Sequence, residues 1–265
     1  MAVSDGLAEP VTAGYEYRGL KASTWDLFLG QASVWEDTLF FREMIVRYGQ
    51  PALELGCGTG RLLLGYLADG LDIDGVDNSP EMLAVCREKA ASLGLQPGLF
   101  QQTMEALALP RRYRTIIVPA GSFQLVTDPA LARRALHRMV AHLQPGGGLA
   151  LRFMLLWQPG EPVQSDWRMV GEITRPDDGA RVRWWQKSWF DVANQLEHTQ
   201  DRYEVLLHGE IVTTEQYVQS PAACWYSREQ ALALFQEAGL VDVRLVETLD
   251  ATEKSRHFAV VGRRG

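Results

Sequence analysis

The stretch Leu53-Glu54-Leu55-Gly56-Cys57-Gly58-Thr59-Gly60-Arg61 decides how the chain is organised. An apolar run enters three glycines at alternate positions, and a helix-like run at 62–68 follows. Glycine lets a turn approach a ligand closely because no Cβ intervenes, and the free N–H groups of a helix start favour an anionic or polar group. The stretch therefore predicts a strand, a glycine turn and a helix, with a cofactor lying against the turn.

The spacing of the glycines separates two classes of cofactor site. The dinucleotide fingerprint is G-x-G-x-x-G, but here the third glycine comes one residue early and Arg61 stands at the position that the fingerprint requires. The stretch resembles motif I of the class I S-adenosylmethionine (SAM) dependent methyltransferases, E/D-x-G-x-G-x-G, at Glu54, Gly56, Gly58 and Gly60. The resemblance implies a methyltransferase with SAM as its cofactor. The two alternatives are a SAM-binding sensor or partner subunit without catalysis and a nicotinamide-dependent oxidoreductase.

Composition narrows the environment and the partners. The 265 residues are 46% apolar, which allows a sizeable core. A net charge of −7 argues against a nucleic-acid groove. The start MAVSDGLAEP has no apolar segment of a signal peptide, there is no 18-residue apolar run, and three widely spaced cysteines indicate reduced thiols. We expect a cytoplasmic monomer or homodimer that takes a small-molecule acceptor and binds neither nucleic acid nor a membrane.

The order of strand and helix signals predicts an α/β fold with a doubly wound, mostly parallel sheet. Strands are predicted at 52–55, 71–77, 97–102, 113–119, 149–155, 241–247 and 257–262, and helices at 34–48, 59–68, 128–142, 227–238 and from Ser79 onward. Between them, residues 166–219 carry strand-like runs and hairpin signals at 177–179 and 208–209. We therefore predict an antiparallel sheet inserted into the parent fold.

The family resemblance covers roughly 50–157 and 225–262 and implies a seven-stranded Rossmann-like sheet whose last strand is antiparallel. It divides the chain into an N-terminal helical arm or lid (1–48), a SAM-binding core (49–157 and 225–265) and an inserted sheet (158–224) that walls the acceptor site. In this family the active site lies over the C-terminal ends of the strands.

The predicted cofactor residues follow from the glycine turn and from the resemblance. Asp77 ends the second strand 21 positions after Gly56, where a carboxylate can accept two hydrogen bonds from ribose hydroxyls; alternatively it is an acid beside a helix start. Arg61 is either a contact of the aminoacyl end or a solvated helix residue. Thr103 replaces the aspartate that the family usually bonds to adenine. The full set that the resemblance implies is Trp25, Glu54, Gly56, Cys57, Gly58, Gly60, Arg61, Asp77, Asn78, Met82, Thr103, Met104, Glu105, Pro119 and Gly121.

The acceptor side is predicted from aromatic residues. Phe123 lies in the loop that lines the transfer site in the family, and Trp184 and Trp185 belong to a tryptophan-rich segment. These tryptophans either pack in a core or form a wall for an apolar, aromatic or cationic acceptor. Trp184 and Trp185 leave opposite faces of one strand, so at most one of them lines a given pocket.

A general base and a metal are the least determined features. His208 and Tyr217 are weak candidates for a base, and an amine acceptor with a free lone pair needs none. The sequence lacks an acidic cluster resembling the magnesium site of catechol methyltransferases, so we predict that no metal is used.

Overall fold

The computed structural model describes residues 11–12, 15–30, 37–247 and 256–265. In chain order the elements are β1 (Val11–Thr12), α1 (Gly19–Ser23), α2 (Trp25–Leu29), α3 (Asp37–Tyr48), β2 (Ala52–Leu55), α4 (Leu63–Ala68), β3 (Ile73–Asp77), α5 (Pro80–Ser92), β4 (Gly98–Gln101), β5 (Tyr113–Val118), α6 (Pro129–His142), β6 (Leu143–Met154), β7 (Arg168–Thr174), β8 (Arg181–Asp191), β9 (Leu196–Leu207), β10 (Glu210–Cys224), α7 (Arg228–Glu237), β11 (Leu240–Val246) and β12 (His257–Arg264). Short 3₁₀ turns lie at Met104–Ala106 and Ser122–Leu125.

A seven-stranded sheet forms the larger half of the fold, in the order β11-β12-β6-β5-β2-β3-β4. The strands from β6 to β4 pair in parallel, whereas β12 pairs antiparallel with both β6 and β11. Side chains of α3, α4 and α5 form a core on one face, and side chains of α6 and α7 form a core on the other. The prediction of a doubly wound, seven-stranded Rossmann-like sheet is confirmed.

The second sheet has the order β1-β10-β9-β8-β7. Its four long strands pair antiparallel, and β1 pairs in parallel with β10. His208 and Gly209 both have positive φ (53° and 90°), as a two-residue hairpin with a primed turn requires. Its four antiparallel strands lie between β6 and α7 in sequence, so the prediction of an inserted antiparallel sheet is confirmed, while the exact domain limits stay a prediction.

The N-terminal segment joins the two sheets. α1 and α2 pack on one face of the second sheet, where Leu20 and Phe28 contact Tyr203 and its neighbours. The backbone N–H groups of Gly19 and Leu20 donate to Glu81 of α5 (2.6 Å) and Glu215 of β10 (2.7 Å). This segment therefore ties the second sheet to the helix that follows β3. The first fourteen residues lie mostly outside the described residues, apart from Val11–Thr12.

Several predicted boundaries need correction. The helix expected at 59–68 begins only at Leu63, because Gly60 has a φ of +84°, outside the helical region. The strand expected from 149 begins at Leu143, and the last inserted strand extends to Cys224 past an irregularity between Gln219 and Ala223. The start of the helix expected at 34–48 falls partly outside the described residues. Ser79, Asp128 and Ser227 cap the starts of α5, α6 and α7, where each side chain accepts from backbone N–H groups.

Candidate functional site

A cavity of about 510 Å³ lies at the carboxyl ends of β2, β3, β5 and β6. Its walls come from the glycine turn, the N-terminal segment and the inner face of the second sheet. The volume falls within the range of about 300–1,000 Å³ that is usual for ligand pockets. The topology places the cavity where open α/β sheets bind their ligands, outside the carboxyl ends of parallel strands.

The glycine turn has a shape that side chains would disrupt. Gly56 has a φ of +72°, and a Cβ there would lie 2.7 Å from Cβ of Ser122 in the loop after β5. Gly60 has a φ of +84°, and a Cβ there would lie 2.7 Å from Sγ of Cys86 on α5. The first glycine therefore keeps the turn close to the neighbouring loop, and the last one lets the turn pack on a helix.

Asp77 is bound into this turn by both of its carboxylate oxygens. Oδ2 accepts from the backbone N–H of Gly58 (2.8 Å) and Oδ1 from that of Ser79 (2.9 Å). Burial raises the pKa of Asp77, and the hydrogen bonds from these backbone groups act in the opposite direction. A carboxylate has about four lone-pair sites, so Asp77 keeps acceptor capacity toward the cavity.

Glu54 is a buried acid on the cavity wall. It lies on the face of β2 opposite Leu53 and Leu55, as its sequence position predicts. Burial raises its pKa to about 8, and the nearby Arg61 opposes this rise. Its Oε2 atom is buried and has no hydrogen-bond partner within the described ranges. A buried oxygen of this kind is costly unless a ligand satisfies it.

An ion-pair cluster fixes two cavity arginines. Arg61 donates two hydrogen bonds to the fully buried Asp37, Nη1 to Oδ1 at 2.9 Å and Nη2 to Oδ2 at 2.7 Å. Arg152 of β6 reaches the same Oδ2 at 3.3 Å. Both arginines line the cavity, but Asp37 neutralises part of their charge and sets their direction.

The N-terminal segment covers one end of the cavity with aromatic rings. Tyr15 donates from its hydroxyl to Glu105 at 2.9 Å, and Tyr17 meets Trp25 edge-to-face with centroids 5.0 Å apart. The backbone oxygen of Tyr17 accepts from the hydroxyl of Ser79 at 2.6 Å. The segment is therefore attached beside the residues that follow β3 and β4.

The opposite wall is the inner face of the second sheet, and it is acidic. Glu197, Thr199 and Asp201 occupy alternate positions of β9 and all line the cavity. Asp201 Oδ1 accepts from Trp184 Nε1 (2.8 Å) and from the amide of Gln186 (3.0 Å). Two carboxylates and a tryptophan thus lie on one polar face.

Lys21 completes this wall from α1. Its buried ammonium donates to Gln219 Oε1 at 2.6 Å, approaches Asp201 Oδ2 at 3.4 Å and lies 4.6 Å from the ring centroid of Tyr17. Burial, and after it the neighbouring Asp201, raise the pKa of Glu197 to about 7, while Arg168 and Lys21 act in the opposite direction. The carboxyl group of Glu197 therefore titrates near neutral pH.

Comparisons with known proteins support the methyltransferase resemblance of the glycine motif. A family model described as a methyltransferase domain matches residues 52–147. A protein of Geobacillus sp. (strain WCH70), named as a methyltransferase, is 22% identical over 220 residues, which is 82% of this chain and 85% of that protein. The solved structure of the sugar N-methyltransferase KedS8 from Streptoalloteichus sp. ATCC 53650 superposes with a TM-score of 0.74 at 22% identity, covering 100% of this chain and 98% of that one.

These matches support a class I SAM-dependent methyltransferase, with the family model confined to residues 52–147. The same matches support SAM as the cofactor. The ubiquinone biosynthesis O-methyltransferase of Sodalis glossinidius (strain morsitans) is 35% identical over 102 residues, and this chain spans only 39% of its length. That likeness is confined to 38% of this chain. Among the described residues, no helix is long and apolar enough to cross a membrane.

The structure of this methyltransferase brings most of the predicted site residues to one cavity. The predicted residues on its walls are Trp25, Glu54, Gly56, Cys57, Gly58, Arg61, Asp77, Asn78, Met82, Met104, Pro119, Gly121 and Trp184. Arg61 keeps 22% of its side chain exposed and pairs with Asp37, which neutralises part of its charge. Their individual roles toward the cofactor or acceptor stay a prediction.

Other predicted residues lie away from the cavity. Gly60 contacts α5 instead, as its packing against Cys86 shows. Phe123 is fully buried against Phe153 and Tyr226, because the 3₁₀ turn at Ser122–Leu125 points it into the core. Thr103 and Glu105 do not line the cavity. Tyr15 lines it instead, and its hydroxyl donates to Glu105.

The last three predicted site residues, Trp185, His208 and Tyr217, also lie off the walls of the cavity. Trp185 leaves the far face of β8 and donates to Glu204 at 3.0 Å, as the alternation of the strand requires. His208 is exposed in a hairpin turn, and Tyr217 is buried with its hydroxyl donating to Arg18 O at 2.9 Å. The structure therefore places neither of the suggested bases on the wall of the cavity.

Sequence reasoning missed most of the polar wall. The cavity residues that it did not identify as site residues include Tyr15, Tyr17, Lys21, Gln124, Arg152, Gln186, Glu197, Thr199, Asp201, Gln219 and His257. One signal was available for three of them, since Glu197, Thr199 and Asp201 share the period-2 spacing of one strand face.

Proposed function

We propose that this methyltransferase transfers a methyl group from SAM to the amine nitrogen of a small, cationic acceptor. The observation that carries the proposal is the acidic wall opposite the glycine turn, made by Glu197, Asp201 and Trp184, with the ring of Tyr17 beside it. Carboxylates and ring faces both stabilise an ammonium group. A neutral hydroxyl acceptor would gain little from either.

The cofactor fits the other half of the cavity. The unpartnered Glu54 Oε2 is suited to the ammonium group at the methionine end of SAM, and the free acceptor capacity of Asp77 is suited to the ribose hydroxyls. Met82 and Met104 offer apolar surface for the adenosine. When bound, SAM supplies an electrophilic methyl group on its sulfonium sulfur.

The charge of the walls favours a cationic acceptor over a phosphorylated one. The cavity cations Arg61 and Arg152 are paired with Asp37, and Lys21 is held by Asp201 and Gln219. A buried phosphate would have to compete with these carboxylates, which costs free energy in a low-dielectric site. The name of KedS8, a sugar N-methyltransferase, agrees with an amine acceptor, and a saccharide amine is the first class to test.

A transfer assay with methyl-labelled SAM tests the proposal. The acceptors are methyl glycosides of 2-, 3- and 4-aminodeoxyhexoses, the matching sugars with hydroxyl in place of the amine, and catechol as an oxygen acceptor. We expect label on nitrogen, identified by mass spectrometry, and none on the hydroxyl counterparts. Transfer to catechol or sugar hydroxyls alone would refute an amine acceptor. SAM binding with no transfer to any of these acceptors would count against the proposal and favour a non-catalytic SAM-binding module.

A further inference from the structure

We propose that Glu197 is the general base that removes a proton from the acceptor's ammonium group, and that Asp201 positions the acceptor. This inference rests on the proposed amine acceptor. It assigns two different roles to two carboxylates on the same face of β9.

The register of the second sheet places Glu197 at the transfer end of the cavity. Glu197 pairs with Ala223 of β10, and the next residue, Cys224, accepts from the amide of Gln124 at 2.8 Å. Gln124 belongs to the loop after β5, which also brings Pro119 and Gly121 to the cavity. Asp201 is four residues further along β9, which is about 13 Å of strand. Glu197 is therefore the carboxylate beside the loop that faces the glycine turn.

The hydrogen bonds of the two acids differ. Asp201 accepts from Trp184 and Gln186 at one oxygen and faces Lys21 at the other. Within the part of the chain that the structure describes, no group donates a hydrogen bond to the carboxylate of Glu197. A general base needs an oxygen that is free to reach the substrate proton, whereas a carboxylate held by three donors is suited to fixing an orientation.

The electrostatic surroundings of Glu197 suit proton transfer at neutral pH. The charged or titratable groups that act on it are Asp201 on its own strand, Arg168 on β7, and Lys21 and Tyr17 in the N-terminal segment. Burial, followed by Asp201, raises its pKa to about 7, against the smaller effects of Arg168 and Lys21. A base with a pKa near the working pH combines a large ionised fraction with useful proton affinity.

The step balances without any further reactant. One N–H bond of the acceptor ammonium breaks, its electron pair stays on nitrogen, and the proton forms an O–H bond with Glu197. The freed lone pair bonds to the methyl carbon, and the electrons of the broken C–S bond remain on sulfur. Glu197 then returns its proton to solvent, and the methylated amine leaves as an ammonium ion.

The test uses the amine that the glycoside panel identifies, with the variants Glu197→Gln, Glu197→Asp and Glu204→Gln. Glu204 is the matched control because it is another glutamate of β9, buried and bonded to Trp185 outside the cavity. We expect Glu197→Gln to lower kcat by about 10²–10⁴-fold, a larger effect than its rise in KM. The rise of kcat/KM through about pH 7 should move to the amine's own pKa. Glu197→Asp should recover part of the rate, and Glu204→Gln should stay within about twofold of wild type.

An acceptor that needs no base separates chemistry from structure. The alkoxyamine analogue of the same sugar is neutral at the assay pH, so wild type and Glu197→Gln should methylate it at rates within about threefold. An equal loss with the alkoxyamine, or an unchanged pH profile in Glu197→Gln, would overturn the role of base. If the Gln variant fails to bind S-adenosylhomocysteine, the Asp variant and an NMR titration of ¹³C-labelled glutamate carboxyls decide whether Glu197 is the base. Titration of Glu197 at an ordinary acidic pH would overturn the inference.

The two proposals fail in different ways. If the wild-type enzyme methylates no amine at all, the proposed function fails and this inference fails with it. If the wild-type enzyme methylates amines and Glu197→Gln does so equally well at every pH, only the inference about Glu197 fails.

Discussion

Replacing Asp37 with asparagine tests whether the buried ion-pair cluster holds the cavity together. Asp37 is fully buried and accepts three hydrogen bonds from Arg61 and Arg152, two of them in a bidentate pair. Breaking a buried pair by removing one partner costs about 3–5 kcal/mol because a charge is left uncompensated. Asparagine keeps one oxygen as an acceptor but turns an NH₂ group toward the arginine donors. We therefore expect a loss of about 3–4 kcal/mol in the free energy of unfolding.

Urea unfolding measures this loss. With a slope of about 3 kcal/mol per molar urea, the midpoint should fall by about 1 M at an unchanged slope. The matched control is Asp242→Asn, because Asp242 also pairs with an arginine, Arg263, at 2.9 Å but is well exposed. That surface pair is worth about 0–1 kcal/mol. A loss below about 1 kcal/mol in Asp37→Asn would refute the reasoning, since the buried cluster would then count for no more than a surface pair.

Four further predictions follow from the same cavity. Asp77→Ala should weaken SAM by about 1.5–3 kcal/mol in titration calorimetry, with no comparable binding of NAD or NADP to the wild type, since charge-assisted hydrogen bonds are lost; unchanged affinity would remove Asp77 from the site. Trp184→Ala should raise the KM of the acceptor and leave SAM affinity within about threefold, whereas Trp185→Ala, on the other face of the strand, should change neither. Burial raises the pKa of Glu54 to about 8 from 4.5, so its contribution to stability is full at low pH and is lost as the pH rises through about 8. In urea unfolding, the stability of Glu54→Gln relative to wild type should therefore increase between about pH 5 and 9. A difference that stays constant with pH would contradict the shift. Residues 15–30 should exchange amide hydrogens more slowly once S-adenosylhomocysteine is added, and equal exchange with and without it would make the segment a plain structural arm.

The glycine turn and the fold around it could be predicted because they depend on local backbone physics. A strand that enters three alternating glycines has few other conformations, and the positive φ values at Gly56, Gly58 and Gly60 are those that glycine adopts readily. Asp77 could be predicted because it ends the neighbouring strand at a fixed register, where Leu55 pairs with Val76. The start of the helix after the turn was misplaced for the same local reason, since the left-handed Gly60 delays it to Leu63.

The burial of Asp37 and the role of Arg61 could not be predicted, because both depend on a contact between residues 24 positions apart. An arginine beside a glycine turn has the same sequence signature whether it meets a ligand, solvent or a buried acid. Phe123 shows the same limit, because its direction depends on the 3₁₀ turn that follows a left-handed Gly121. In each case the backbone element was predictable, and the partner of the side chain was not.

The polar wall could not be predicted from the sequence because of the residue pattern of β9. A strand with one face in a core shows alternation between apolar and polar residues, but residues 197–202 of β9 are polar on both faces. Such a run usually indicates a strand with two solvated faces, yet Thr199 and Asp201 are almost fully buried. Burying a row of polar side chains costs free energy unless they find partners, and Asp201 finds them in Trp184, Gln186 and Lys21. Glu197 has no such set of donors, so the cost of its burial remains in the free protein, and an acceptor that brings a cation would offset that cost.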